Sequence, residues 1–416
     1  MYFFLTLLLV VSGIDRIDLA AGRLDFRLTP YIALASLFLI YFFLRFVFLR
    51  AGRYFGRGEL TYILLAIFFC FSIFISVSLS GDYALSMDRY LLLLFNVVSA
   101  FAIIRVLMAQ VDSISILVSA AKLGILVFFL FDIAQGLNFY FGFNPPGGDS
   151  LINIVPPNYG GIAIRPSGFA NDMNLGAFVL VSYFFFINQY EKPGLIKIAY
   201  LMLCLTMLAL TLSRSGILAF FVLVAANAWY GNTKYSVMQF FKFCLLIAVV
   251  ALSIFALTLL LFDPENYAPL FAERFSFSAD DSGGIHLNLI DKGVDVFFNN
   301  PLFGAGFGAS YLDLVDFFEF NPYSNYHSLF ITSLAETGFF GFFSLMLILF
   351  LPLFNKSKAP MYGPLLLALL AFNTFYQTIA SPFFWIILSY VWIYFSSGSS
   401  LYGSQHASSQ GTEASR

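Results

Sequence analysis

Four side chains of this sequence combine a residue type and a position that could support chemistry on an anionic group. His327 stands where a long polar stretch, roughly residues 263–327, gives way to a new apolar run. A neutral imidazole with a pKa of about 6.5 can accept a proton from a hydroxyl group at neutral pH. Arg165, Arg214 and Arg274 could hold an anion, because a guanidinium offers paired donors to phosphate-like oxygens. These residues predict a general base beside an anion site.

Arg214 lies in residues 212–216, a short polar break between two apolar runs. Ser213 can cap the helix that follows, which places Arg214 in its first turn. A cation there opposes the helix dipole, at a typical cost of about 0.3–1 kcal/mol. Free amides, the dipole and the guanidinium together make a site for a phosphate-like anion. The alternative is a structural salt bridge.

Arg165 lies in a loop rich in Pro and Gly, residues 156–169, just ahead of another predicted helix. Asn171 or Asp172 can cap that helix. Arg165 is then either an interfacial arginine paired with Asp149 or Asp172, or a residue that holds an anion beside the positive end of the helix.

Composition indicates a polytopic α-helical membrane protein. The 416 residues are 60% hydrophobic and 11% charged, whereas soluble chains carry about 25% charged residues. The apolar runs are continuous and lack the alternation of a barrel strand. Cys70, Cys204 and Cys244 lie within these runs, so we expect no disulfide framework and no metal site. Nothing in the composition indicates nucleic acid binding, and no basic region precedes the first apolar run to make it a cleavable signal.

We predict about twelve transmembrane helices of roughly 20 residues. The four predicted regions are spans one to nine within 1–262, a long external loop at 263–327, three spans within 328–396, and a disordered cytoplasmic tail at 397–416. The approximate spans are 2–20, 30–49, 60–80, 90–109, 115–136, 172–189, 196–212, 214–230, 241–262, 328–353, 361–379 and 382–396.

Orientation follows from lysine and arginine, which concentrate in cytoplasmic loops. The basic residues that define this side follow even-numbered spans: Arg45, Arg50, Arg53, Arg57, Lys192, Lys197, Lys234, Lys242, Lys356 and Lys358. Both termini are then cytoplasmic. The outer side then holds Arg165, Arg214, Arg274 and His327, against this bias. Their presence there needs an explanation other than anchoring of the protein in the membrane.

The outer segment is acidic and contains a predicted amphipathic helix. Residues 280–284 resemble a helix start, and Leu287, Ile290, Val294 and Phe297 share one face. Asp280 and its neighbour could bind a divalent ion or simply cap this helix. Asn300-Pro301 ends the helix, and residues 304–308 form a glycine-rich turn.

Glu336 lies about 13 Å along the helix that follows His327, at 1.5 Å per residue. A carboxylate at that depth should be paired or neutral. Asn373 and Gln377 share a helix face and are the candidate partners, so we expect a structural polar cluster.

Four segments in this order resemble the bacterial O-antigen ligase and O-antigen polymerase superfamily. They are Arg165-Pro-Ser-Gly-Phe-Ala-Asn-Asp-Met-Asn174, Leu212-Ser-Arg-Ser-Gly216, Asn300-Pro-Leu-Phe-Gly-Ala-Gly-Phe-Gly308 and His327-Ser-Leu-Phe-Ile-Thr-Ser-Leu-Ala-Glu-Thr-Gly338. The resemblance is strong over roughly residues 150–350. It implies a GT-C-like membrane glycosyltransferase that needs no metal or other cofactor and works on the periplasmic side of the inner membrane.

The resemblance also implies roles for the outer residues. Arg214 and Arg274, with Arg165, would hold the diphosphate of an undecaprenyl-diphosphate-linked oligosaccharide, and His327 would be the general base. Many members have a second arginine shortly after the Asp-Ser-Gly segment, where this chain has His286. His286 is then either a weaker diphosphate ligand or a bystander.

The acceptor that the resemblance implies is either a second lipid-linked glycan or a lipid A core sugar, and we prefer the polymerase slightly. Membrane lipids and a chain-length regulator protein are the further partners it implies. The rival hypothesis is a flippase for lipid-linked glycans or another polysaccharide transporter. A transporter should carry charged groups near the midplane and often related halves. Glu336 and Asp132 are the carboxylates that we place near the midplane, and we find no internal repeat.

Overall fold

The computed structural model describes residues 1–20, 28–48, 57–142, 158–159, 163–164, 166–230, 282–315 and 324–396. In these ranges the chain is helical apart from a two-residue antiparallel ladder between Asn158–Tyr159 and Ala163–Ile164. The α-helices are α1 Tyr2–Val11, α2 Pro30–Phe48, α3 Arg57–Ser78, α4 Tyr83–Met108, α5 Ser113–Phe141, α6 Met173–Tyr190, α7 Leu195–Leu210, α8 Arg214–Tyr230, α9 Ser282–Asn299, α10 Ser310–Asp313, α11 Leu329–Phe350, α12 Ala359–Thr374 and α13 Pro382–Ser396.

Four of the described helices are long and apolar enough to cross a membrane, at residues 58–78, 83–108, 113–141 and 329–354. Six shorter apolar helices accompany them. These helices are consistent with a multi-pass membrane protein, whereas the count of about twelve spans stays a prediction. The predicted span 241–262, the tail 397–416 and the first part of the outer loop lie outside the described residues.

The first predicted span was too long. Helix α1 ends at Val11, and the chain turns at residues 12–14 instead of continuing to residue 20. The reason is local, since Asp15 and Arg16 each bind the backbone of a distant loop and cannot lie in a lipid-facing helix.

Helices α6 and α13 form the centre of the core. Both are buried on every side, over residues 176–187 and 383–394, as expected for helices that are apolar all round. Phe178 of α6 stacks on Phe372 of α12 at 5.1 Å between ring centroids and meets Phe383 of α13 edge to face at 5.8 Å. This packing fixes the position of the N-terminal end of α6.

Helix α11 is kinked at Gly338, whose φ of 62° and ψ of −164° leave the helical region. The glycine-rich stretch before α10 supplies backbone partners at the kink. Phe339 N–H donates to the carbonyl of Pro301 at 2.8 Å, and Ala305 N–H donates to the carbonyl of Ala335 at 2.9 Å. A Cβ on Gly304 would lie 2.2 Å from the backbone carbon of Glu336, so only glycine allows this approach.

Glu336 has different partners from those we predicted. Its Oε2 accepts a hydrogen bond from Gly308 N–H at 2.9 Å. Asn373 instead accepts from the hydroxyl of Thr378 at 2.7 Å, so the predicted pairing of Glu336 with α12 was wrong. The glycine-rich turn folds back onto α11, and sequence spacing alone could not reveal that contact.

Candidate active site

The N-terminal ends of α6 and α8 meet through a chain of polar side chains. Asp172 caps α6, because its Oδ1 accepts from Asn174 N–H at 2.7 Å and from Leu175 N–H at 3.2 Å. The side-chain oxygen of Asn174 accepts from the hydroxyl of Ser213 at 2.7 Å. Ser213 in turn caps α8 by accepting from Gly216 N–H at 3.1 Å. The two predicted caps are confirmed, and they hold two helix N-termini side by side.

Arg214 is the first residue of α8 and is half-buried. The residue before its cap, Leu212, has a left-handed φ of 51°, which is unusual for a branched side chain. Such strain is found mainly where the surrounding structure enforces it. Arg214 thus begins α8 beside the capped end of α6, where the positive ends of two helix dipoles favour an anion.

The loop that carries Arg165 is anchored by a residue that the sequence did not single out. Arg16 is 3% exposed. Its Nε donates to the carbonyl of Ala170 at 2.6 Å, and its Nη2 donates to Ser167 Oγ at 2.6 Å. An arginine inside a predicted span is unusual, and that signal could have identified it. Arg165 itself and Arg274 lie outside the described residues.

Two further side chains hold the same loop from opposite sides. Asp15 accepts from Asn171 N–H at 2.5 Å, and Asp132 of α5 accepts from Gly168 N–H at 2.9 Å. The loop over residues 166–172 is therefore bound by the end of α1 and by α5 before it enters α6. Asp132, which we considered as a midplane charge, is a loop anchor here.

His327 adopts a left-handed backbone conformation, with φ of 53°. Its N–H donates to Asn325 Oδ1 at 2.8 Å. Ser328, and not His327, is the cap of α11, since its Oγ accepts from Ile331 N–H at 3.5 Å. His327 could have been a capping or an interfacial histidine instead of a base, and the capping role is excluded because Ser328 fills it.

The ring of His286 lies against the ring of His327. Their centroids are 4.6 Å apart and their planes are perpendicular. Both residues are half-buried. His286 belongs to α9 and His327 precedes α11, so this contact depends on how closely the two helices pack.

Helix α9 packs on α11 through residues other than the predicted apolar face, for which the sequence predicted no partner helix. Leu287 is 65% exposed, while Leu289 is fully buried and Gly293 and Val296 are also buried. The hydrophobic cluster of Leu289 and Val296 includes Tyr326 beside His327. Gly293 lies in this contact, and its missing side chain lets the two helices approach closely.

The electrostatic environment of His327 favours the neutral imidazole. Burial lowers the pKa of His327, and the nearby carboxylate of Asp172 opposes that shift. The hydroxyl of Tyr376 is hydrogen-bonded to Asp172, and burial raises the pKa of Tyr376 well above its ordinary value. The backbone carbonyl of Tyr376 also accepts from Leu329 N–H at 3.0 Å, which ties this residue to the start of α11. Nothing in the sequence distinguished Tyr376 from the many other tyrosines.

The described part of the site therefore joins four elements: the starts of α6 and α8, the first turns of α9, and the entry to α11. It brings His286 and His327 into contact, and it places the carboxylate of Asp172 near enough to His327 to affect its protonation. Over the described ranges, no group of three or more His, Cys, Asp or Glu side chains could hold a metal ion.

Residues 199–346 match the model of the Wzy_C family, described as O-antigen ligase. No curated protein matches the chain. The matched range includes Arg214, Arg274, His286 and His327, together with the kink of α11. Residues 199–346 are thus similar to the O-antigen ligase family, which supports the resemblance to the O-antigen ligase and O-antigen polymerase superfamily.

Proposed function

We propose that this protein is a glycosyltransferase that transfers glycan from undecaprenyl diphosphate to an acceptor hydroxyl on the outer face of the inner membrane. The family match supports an O-antigen ligase or polymerase type of function in general. The observation that carries the mechanism is the placement of His327. It is held in a strained backbone conformation at the mouth of α11, against a second imidazole and near Asp172.

In the proposed reaction, an acceptor hydroxyl oxygen attacks the anomeric carbon of the donor sugar. The bond from that carbon to the diphosphate breaks, and the leaving group keeps the electron pair. His327 takes the hydroxyl proton. The lowered pKa of His327 suits this role, because the imidazole is then neutral at neutral pH.

The leaving diphosphate gathers negative charge and needs donors at that point. We assign this task to Arg214, Arg165 and Arg274, with His286 as a weaker candidate ligand. The half-buried position of Arg214 at the first residue of α8, next to the capped end of α6, supports the assignment. In other diphosphate-handling enzymes a metal ion neutralises this negative charge. Here arginine would neutralise it, so we expect transfer to continue in the presence of a chelator.

A flippase or other transporter is the competing function. A transporter that moves a charged headgroup should keep polar groups available near the midplane. Here Asp132 and Glu336, two carboxylates inside apolar helices, each accept a hydrogen bond from a loop amide, at 2.9 Å in both cases. Those bonds give both carboxylates a structural purpose, which favours the enzyme.

The test is a transfer assay with purified protein in lipid nanodiscs and an undecaprenyl-diphosphate-linked oligosaccharide. Lengthening of the lipid-linked glycan would indicate the polymerase that we prefer, and transfer to added lipid A core would indicate the ligase. His327→Ala should reduce either product by about 10²–10⁴-fold while the protein stays folded. Movement of the oligosaccharide across the membrane without any new glycosidic bond would contradict the proposal.

A further inference from the structure

We propose that His286 and His327 share a single proton, and that the singly protonated pair, with the charge on His286 and a neutral His327, is the working state of the enzyme. The inference deepens the proposed function and rests on it for its catalytic meaning. The pairing itself is a property of the protein alone. In this state His286 acts through His327, as a positioning residue.

The geometry of the pair gives the first step. The ring centroids are 4.6 Å apart and the planes are perpendicular. Perpendicular packing aims the edge of one ring at the face of the other, and it leaves no space for water between them. Two imidazoles, each with an ordinary pKa of about 6.5, titrate at this distance as a coupled pair, in two separated steps.

The size of the coupling follows from the distance. For two unit charges 4.6 Å apart, Coulomb's law separates the two protonation steps by about 0.7 pH unit in a water-like dielectric and by about 2.7 pH units at the effective dielectric typical of a protein surface. Both rings are half-buried, so the separation should lie between these limits. A pH range therefore exists in which the pair holds one proton.

The surrounding groups decide which ring carries the charge. Burial favours neutral His327. Among the described groups, Asp172 at the start of α6 acts on His327, Tyr376 is bonded to Asp172, and the charge of Asp15 acts on Tyr376. Tyr326 adjoins His327, and its hydroxyl donates to Asp313. Asp172 already accepts two backbone N–H bonds and the Tyr376 hydroxyl, so most of its charge is satisfied. The next charged residue on α9, Asp291, is exposed.

The packing of α9 on α11 makes the contact a fixed one. Gly293 brings the helices together so closely that a Cβ there would lie 2.4 Å from Ile331 Cγ2. Leu289, one turn beyond His286, is fully buried in the cluster with Tyr326. The two imidazoles are therefore held in contact by the helices that carry them.

The arrangement serves both halves of the reaction. A neutral His327 can accept the hydroxyl proton. A protonated His286 places positive charge beside the reacting groups and keeps His327 neutral down to a lower pH than an isolated imidazole would be. The wild-type rate should then be bell-shaped in pH: the acid limb marks protonation of His327, and the alkaline limb marks loss of the proton from His286.

The first experiment needs no substrate. The chain has only three histidines, His286, His327 and His406. With isotope-labelled histidine in the full-length protein in nanodiscs, NMR can follow each imidazole through pH in the wild type, His286→Gln, His327→Gln and the control His406→Gln. In the wild type, His327 should take up the second proton of the pair. In His286→Gln it should titrate at a pH about 0.7–2.7 units higher than that second step. Equal His327 midpoints in the two proteins would overturn the shared proton.

The second experiment measures transfer of the lipid-linked oligosaccharide against pH. His286→Arg keeps a permanent charge and should retain the acid limb but lose the alkaline limb. His286→Gln should also lose the alkaline limb, and its acid limb should move to higher pH at a lower plateau rate. An unchanged alkaline limb in His286→Arg, or an unchanged profile in His286→Gln, would overturn the proposal. Absence of transfer by the wild type at every pH would instead reject the proposed function and leave the NMR result standing.

Discussion

The close packing of α9 on α11 can be tested at a single atom, by the substitution Gly293→Ala. The added Cβ would lie 2.4 Å from Ile331 Cγ2 and 3.1 Å from the Tyr326 ring. Ordinary contacts between carbon atoms begin at about 3.5 Å, so either the Ile331 side chain or the two helices must move by about 1 Å. Ile331 cannot turn its methyl away freely, because β-branched side chains have one strongly preferred rotamer in a helix. The helices must therefore separate.

The expected magnitudes follow from that displacement. Overpacking of this kind typically costs about 1–3 kcal/mol, against a gain of about 0.5–1 kcal/mol from replacing glycine with alanine in a helix. We expect a net loss of stability of about 0.5–2 kcal/mol. His286 lies about 10 Å along α9 from Gly293 at 1.5 Å per residue, so a shift of the helix also moves the imidazole. Misplacement of a catalytic group by about 1 Å can cost about 10²-fold in rate.

The assay compares glycan transfer and thermal unfolding in the wild type, Gly293→Ala and the control Gly136→Ala. Gly136 also lies within a helix, α5, but its added Cβ would meet no atom within 4 Å. The control should keep its rate and lose no stability. Gly293→Ala should lose about 10–100-fold in rate while remaining folded.

A second substitution tests whether steric separation of the helices causes the loss of rate. Ile331→Ala removes the methyl group that the new Cβ meets, so the double variant Gly293→Ala/Ile331→Ala should transfer glycan faster than Gly293→Ala alone. Contacting residues are expected to couple in this way. A wild-type rate in Gly293→Ala, or a double variant no faster than Gly293→Ala, would refute the reasoning.

Four further predictions concern the site and the topology. His327→Gly should be more stable than His327→Ala by about 1 kcal/mol, because only glycine adopts the left-handed backbone without strain; both should lose transfer, and equal melting temperatures would count against strain at this position. Arg214→Lys should transfer glycan at least about tenfold more slowly at unchanged expression, because lysine keeps the charge but not the paired donors; a wild-type rate would return Arg214 to a structural role. Because the folded pKa of His327 is lowered, the unfolded chain binds its proton more readily, so the free energy of unfolding should fall as pH drops from about 6.5 through the folded pKa. His327→Gln should reduce that slope in denaturant titrations, and an identical slope would contradict the shift. A cysteine at Ser357, between Lys356 and Lys358, should resist an impermeant reagent in intact cells, and labelling would reverse the topology.

The sequence was most informative where a residue acts on its close neighbours. The caps at Asp172 and Ser213 were predictable because a capping side chain bonds amides two or three residues ahead. The helices also follow from composition, since long apolar runs leave the backbone no other way to satisfy its hydrogen bonds in lipid. Family resemblance supplied the rest of the candidate site before any geometry was known.

Contacts between distant segments could not be predicted in this way. Arg16 binds a loop more than a hundred residues away, and Glu336 binds the glycine-rich turn instead of α12. The contact of His286 with His327 depends on Gly293, a residue whose contribution is the absence of a side chain. Hydrophobic periodicity scores such a residue as neutral, and so it did not indicate this contact.

The kink in α11 has a consequence for how the chain is assembled. The backbone groups of Ala335 and Phe339 are satisfied by residues 301–305, which precede α11 in the chain and are therefore synthesised first. In lipid, a helix with a broken hydrogen-bond ladder is costly unless partners are already present. The stretch before α10 thus supplies, ahead of α11 in synthesis, the backbone partners that a helix bent at Gly338 requires.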